Sequence, residues 1–109
     1  MNVKAPEACQ TMVDVRAGVD ALDSELAALV ARRFGYMDAA ARIKPSRSQV
    51  RDEARKAQVI ANAGAAAAAA GLPHGLAEAM WELLVEASIA REFTEWDRLR
   101  VAAAKSDAA

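Results

Sequence analysis

Ser88 and Glu92 stand one helical turn apart in the stretch VEASIAREFTEW, residues 85–96. At helical spacing they share a face with Trp81, Leu84, Val85, Ile89, Phe93 and Trp96. A carboxylate moved out of water without a partner is costly and is driven toward its neutral form. Either this hydroxyl and carboxyl face something polar that is absent from the chain, or the helix is rotated relative to this reading. Cations are available elsewhere in the chain. Arg33 and Lys44 are eleven residues apart, about three turns, and so lie on one face of a helix. Arg16 precedes Arg33 by seventeen residues, roughly 25 Å along a helix axis, too far to reach the same pocket within one chain. If two such helices pair antiparallel, the partner's Arg16 comes alongside Arg33. Arg55, near the start of a second helix, adds a further cation. Several fixed cations with one hydroxyl and one carboxyl suit a small dicarboxylate, with bidentate geometry where arginine is used. Taken singly, each of these residues reads as a member of an ordinary surface salt bridge. Their joint placement is the argument for a site.

Three helices must position this set. The first opens at TMVD, with Thr11 as N-cap and Asp14 reaching back in a capping box. An apolar stripe follows at Val15, Val19, Leu22, Leu26, Leu29, Val30, Phe34 and Met37, uninterrupted until Pro45. That predicts about 33 residues of helix, roughly 50 Å at 1.5 Å per residue. KPSRS then reads as a loop. A second helix begins near Arg51, is weakened at Gly64, regains propensity in the alanine run, and stops at Gly71 before Pro73. A third starts between Pro73 and Gly75, passes Trp96 and reaches about Ala103. Residues 1–10 form an N-terminal arm, and 104–109 a tail that frays. A globule of this length has a diameter of roughly 35 Å. Two helices of the same chain cannot wrap a 50 Å helix on all sides, which predicts a two-fold homodimer with the long helices antiparallel.

Composition narrows the function classes. At 109 residues the chain is one domain by length, 54% apolar but rich in alanine, with five aromatic residues. β-branched residues are few and scattered, so an all-α fold is expected. No uncharged apolar run is long enough to span a membrane, and MNVKAPEACQ lacks the apolar core of a signal peptide. Cys9 is the sole cysteine, which precludes an intrachain disulfide and suits a cytoplasmic protein. Residues 31–56 carry Arg32, Arg33, Arg42, Lys44, Arg47, Arg51, Arg55 and Lys56 against Asp38, Asp52 and Glu53, in a chain of net charge −1. Such a cluster is either a solvated basic face or a sign of an anionic partner. Nucleic acid is a poor fit, because the chain is slightly acidic and no stacking aromatics interleave with the basic residues.

The residues DVRAGVDALDSEL (14–26), ARRFGYMDAAARIK (31–44), RDEARKAQVI (51–60) and SIAREFTEW (88–96) occur in an order and spacing that resemble the all-helical chorismate mutases, the AroQ class. The PEAC opening (6–9) and the REFTEW ending are similar to the branch that includes isochorismate pyruvate lyases. The resemblance spans nearly the whole chain. It implies the three-helix type II fold as an intertwined homodimer whose two sites each use both chains. It also implies roles. The partner's Arg16 and Arg33 bind substrate carboxylates, and Lys44 contacts the ether oxygen and a carboxylate. Asp52 binds the ring hydroxyl, Arg55 helps hold the substrate, and Ser88 contacts it. Glu92 falls where many relatives carry a glutamine that donates to the ether oxygen. A carboxylate cannot donate there, whereas a neutral carboxylic acid can. Glu92 is therefore expected to act as a neutral donor, with activity falling as rising pH removes its proton.

The implied reaction is the pericyclic rearrangement of chorismate to prephenate, a step of the shikimate pathway toward aromatic amino acids. It needs no nucleophile, metal or cofactor, so the solitary His74 in LPHG is expected in solvent. Catalysis comes from holding the enolpyruvyl arm over the ring and from fixed positive charge at the breaking C–O bond. Lys44 and Glu92 are the expected catalytic residues. The alternative within the same pocket is isochorismate pyruvate lyase, giving salicylate and pyruvate for salicylate or siderophore biosynthesis. Ser88 leans toward the mutase and the termini toward the lyase. An aminodeoxychorismate mutase is a further variant. A non-catalytic helical dimer is the rival from a different class, but it would not need the arginine and lysine set.

Overall fold

In a computed structural model, residues 3–108 are described and form three α-helices and two short 3₁₀ turns, with no strand among the described residues. The helices are α1 (Met12–Ile43), α2 (Glu53–Ala69) and α3 (Leu76–Ala108). Residues 1, 2 and 109, the ends of the expected arm and tail, lie outside the described residues. The chain divides into two compact units, Met1–Gly35 and Tyr36–Ala109.

In the first unit, α1 starts where the capping signal puts it. The Asp14 backbone N–H donates to Thr11 Oγ1 at 3.2 Å. Asp14 Oδ2 in return accepts from the backbone N–H groups of Gln10 (3.0 Å) and Thr11 (3.3 Å). These donors, Gln10 first, hold the Asp14 carboxyl below its ordinary value, and the Lys4 ammonium at 3.3 Å adds to the effect. The arm ahead of the helix turns once at Pro6–Ala8, where the half-buried Cys9 thiol lies 3.5 Å from the Ala5 carbonyl. The apolar stripe of α1 is open in the single chain: Leu22, Leu26 and Leu29 are each more than half exposed.

The second unit contains the core. Val50, Val85 and Ile89 are buried, with Val59, Ile60, Trp81, Phe93 and Trp96 packed around them. Ala41, Ala67 and Ala77 are also buried, and side chains this small let helices approach closely. Asp52 is the N-cap of α2, its side chain accepting from the Arg55 N–H at 3.0 Å. That bond moves the start of α2 two residues beyond Arg51, the position the sequence suggests. α2 ends in a Schellman turn. Leu72 N–H donates to the Ala67 carbonyl and Gly71 N–H to that of Ala68, with Gly71 at φ 77°, which glycine adopts without strain. Further along, α3 continues through residues 104–108, where the sequence suggests fraying, because alanine-rich segments favour helix.

Candidate functional site

Lys44 follows the last residue of α1. Its N–H donates to the Ala40 carbonyl at 2.9 Å, and Pro45 then stops the helix. From there its ammonium reaches α3. Nζ lies 2.9 Å from Glu92 Oε1 and 3.1 Å from Oε2, and 3.4 Å from the Val50 carbonyl. Glu92 is 3% exposed, so its carboxyl is held within the apolar face by this ion pair. The same helix buries Ser88, also 3% exposed. The Ser88 hydroxyl donates to the Leu84 carbonyl at 2.7 Å, a back-bond within α3 that satisfies its proton. The inward carboxyl and hydroxyl thus have partners in the chain itself: a cation from the end of α1 and a carbonyl one turn back.

The loop over this pair is tied down from both sides. Arg47 forms a two-point ion pair with Asp97 (2.9 and 3.3 Å) and lies 4.5 Å from the centre of the Phe93 ring. Ser46 and Gln49 close a capping box around the 3₁₀ turn Arg47–Gln49, which leads into buried Val50. The end of α1 is held as well. Trp96 Nε1 donates to the Lys44 carbonyl at 3.0 Å, Arg100 donates to the Lys44 and Ala41 carbonyls at 2.7 Å each, and the Arg100 guanidinium lies 4.2 Å from the Trp96 ring centre.

The remaining residues singled out in the sequence stand as follows. Asp52 and Arg55 sit at the exposed first turn of α2. Besides the capping bond, the Arg55 guanidinium donates to Gln58 at 2.7 Å. Arg16 and Arg33 belong to the first unit, Arg16 exposed and Arg33 half-buried. Lys44, Glu92 and Ser88 are thus gathered at one place within the second unit. Arg47, Val50, Trp96 and Arg100 were not singled out as functional. Arg100 had a signal, its spacing of four from Trp96, which suits a cation against a ring on one helix face. The Arg47–Phe93 and Lys44–Val50 contacts had none, since they depend on how the loop folds back.

The basic run 31–56 is largely paired. Arg51 clasps Glu86 at 2.9 and 3.1 Å and Glu53 at 2.9 Å, and Lys56 bridges Glu82 (2.7 Å) and Glu86 (2.9 Å). Arg51, followed by Lys56, pulls the Glu86 carboxyl down to about 2. Among the described residues no helix is long and apolar enough to cross a membrane, and no three His, Cys, Asp or Glu side chains gather to hold a metal.

Comparison with known proteins places this arrangement. The isochorismate pyruvate lyase of Pseudomonas aeruginosa is 28% identical over 101 residues, covering 93% of this chain and the whole of that protein. Residues 15–93, from the first turns of α1 to the buried face of α3, match the family Chorismate mutase type II. A long first helix, a linking loop that delivers Lys44, and a third helix that buries Glu92 against it therefore belong to a member of the chorismate mutase type II family.

Proposed function

We propose that the protein is an enzyme that converts chorismate to prephenate, and that Lys44 and Glu92 are its catalytic pair. The observation that carries this reading is the ammonium of Lys44 set 2.9 Å from a carboxyl that is itself almost wholly out of water. A cation at the edge of an apolar face is what a rearrangement needs when its breaking C–O bond becomes negative at oxygen. In such surroundings a fixed charge acts more strongly than in water and requires no reorganisation as the reaction proceeds. In the free protein Glu92 occupies Lys44. A substrate carboxylate that takes over the ammonium releases the Glu92 side chain toward the ether oxygen, where a carboxylic acid can donate and a carboxylate cannot. Glu92 then donates to the ether oxygen, the role the sequence suggests.

The other residues position the substrate. Asp52 has a second carboxylate oxygen available for a ring hydroxyl beyond the one that caps α2. Arg55, at the same exposed turn, exchanges Gln58 for a carboxylate. Ser88, on the same inward face of α3, contacts the bound substrate. Arg33 and the partner's Arg16 bind the substrate carboxylates. The partner enters because the stripe Val15, Val19, Leu22, Leu26 and Leu29 is exposed on α1 and a second copy would cover it.

A second reading is favoured by one observation: the lyase from Pseudomonas aeruginosa aligns along its full length. Isochorismate pyruvate lyase chemistry breaks the same ether C–O bond, moving a ring hydrogen to the enolpyruvyl carbon, and Lys44 would stabilise the same oxygen. Separate incubation with chorismate and with isochorismate decides between them. Prephenate from chorismate supports the mutase, fluorescent salicylate with pyruvate from isochorismate supports the lyase, and neither product excludes both.

A further inference from the structure

Glu92, Trp96 and Arg100 recur every four residues, so they lie along one stripe of α3. All three bind Lys44, but at opposite ends of the residue. Glu92 takes the ammonium, while Trp96 and Arg100 take the backbone carbonyl. We propose that Trp96 and Arg100 are positioning residues for the Lys44 ammonium, fixing its backbone so that Nζ is delivered to one place.

The physical need is specific. The last carbonyls of a helix have no intrahelical partner, and the final residue frays unless something else holds it. Lys44 directly follows that final residue, Ile43, so its place depends on how the end of α1 is held. Its four-carbon stem is flexible, so the ammonium is only as well placed as the Cα that carries it. Two donors converge on its carbonyl, at 3.0 Å from the indole and 2.7 Å from the guanidinium. The second arm of the guanidinium holds the Ala41 carbonyl at 2.7 Å, one turn earlier, so Arg100 spans the last turn of α1. Stacking on the Trp96 ring orients the fork. A lysine in place of Arg100 would keep the favourable charge at the helix C-terminus but could not span both carbonyls in that plane. A phenylalanine at 96 would keep the ring while losing the donor. The two substitutions thus separate positioning from general stabilisation.

The inference rests on the reading of Lys44 as the catalytic cation, so its test has a readout that does not depend on turnover. The full-length wild type is compared with Trp96→Phe, Arg100→Lys and the double variant, at a temperature where circular dichroism shows all of them folded. Acetylation of Lys44 by acetic anhydride is followed by mass spectrometry, with Lys105 as internal reference. In parallel, kcat and KM are measured on chorismate and on isochorismate. Small misplacements of a catalytic group can cost up to ~100-fold, so the double variant should lose about 10-fold or more in kcat while KM changes less than about 3-fold. Lys44 acetylation should rise several-fold relative to Lys105. Acetylation within two-fold of wild type, or a normal kcat alongside raised acetylation, would overturn the proposal. A wild type that turns over neither substrate defeats the functional reading alone. The acetylation ratio then still decides whether the two residues fix Lys44.

Discussion

At the scale of single residues, the meeting of Lys44 and Glu92 sets two expectations. If Lys44 faces the leaving oxygen as proposed, removing the ammonium by Lys44→Ala should cost about 100-fold or more in kcat. It also strands a carboxyl that is 4% exposed, which should lower the melting temperature by the equivalent of roughly 1–3 kcal/mol. Steady-state kinetics and thermal unfolding check the two effects separately. Near-normal turnover in a destabilised Lys44→Ala protein would mean that the pair is structural and that the reaction relies on other groups. Glu92→Gln tests the donor role. An amide donates where a carboxylate cannot, so the glutamine variant should keep at least wild-type kcat/KM, and a loss of about 10-fold or more would defeat the donor role. The sequence placed this carboxyl on one face with Trp81, Ile89, Phe93 and Trp96 but left a rotated helix open, and the burial of Glu92 decides for the inward face. It did not show that Lys44 would meet it in the free protein, because forty-eight residues of chain separate them.

At the scale of elements, the charge cluster between residues 31 and 56 is the clearest case of sequence and structure diverging. In the sequence it stands as a basic run, but in the fold Arg47, Arg51 and Lys56 are answered by Asp97, Glu82 and Glu86 from α3. The helix limits were legible because caps are local: Thr11 with Asp14, and Gly71 at the end of α2, each act within a few residues. The pairing of α2 with α3 was not, since it depends on which faces meet. That pairing has a pH signature. Glu86, whose carboxyl is held at about 2 against an ordinary 4.5, favours the folded state while ionised. Its contribution is complete above pH 4.5, where the unfolded carboxyl is ionised too, and is lost as the pH falls toward 2 and protons bind the unfolded chain preferentially. The melting temperature of the wild type should therefore decline across that range, and Glu86→Gln should flatten part of the decline. An unchanged acid profile in the glutamine variant would show that Arg51 and Lys56 do not hold α2 to α3 through this carboxyl. The loop has its own anchor. Asp97→Asn should loosen Arg47 and raise hydrogen exchange across residues 45–51 while leaving the α2 amides protected.

At the scale of the whole molecule, the question is what covers α1. Leucines at 22, 26 and 29, each more than half exposed, repeat at the three- and four-residue spacing of a helix-packing stripe. A second copy is the occupant proposed here, and it brings a consequence for the site. If the partner's Arg16 completes the pocket beside Lys44, then Arg16→Ala and Lys44→Ala proteins should each be inactive as pure dimers. Unfolded together and refolded as a mixture, they should recover activity. In a mixed dimer one site carries both lesions, while the other joins the intact Arg16 of one chain to the intact Lys44 of its partner. Random reassortment makes half the dimers mixed, each with one sound site, so about a quarter of the wild-type activity should return. Recovery would place Arg16 and Lys44 in the same site from different chains. A mixture that stays inactive, although sedimentation shows dimers and each chain refolds, would mean that each site draws both residues from a single chain. A stable monomer at working concentration would remove the partner, and with it the reason for Arg16 to belong to the site.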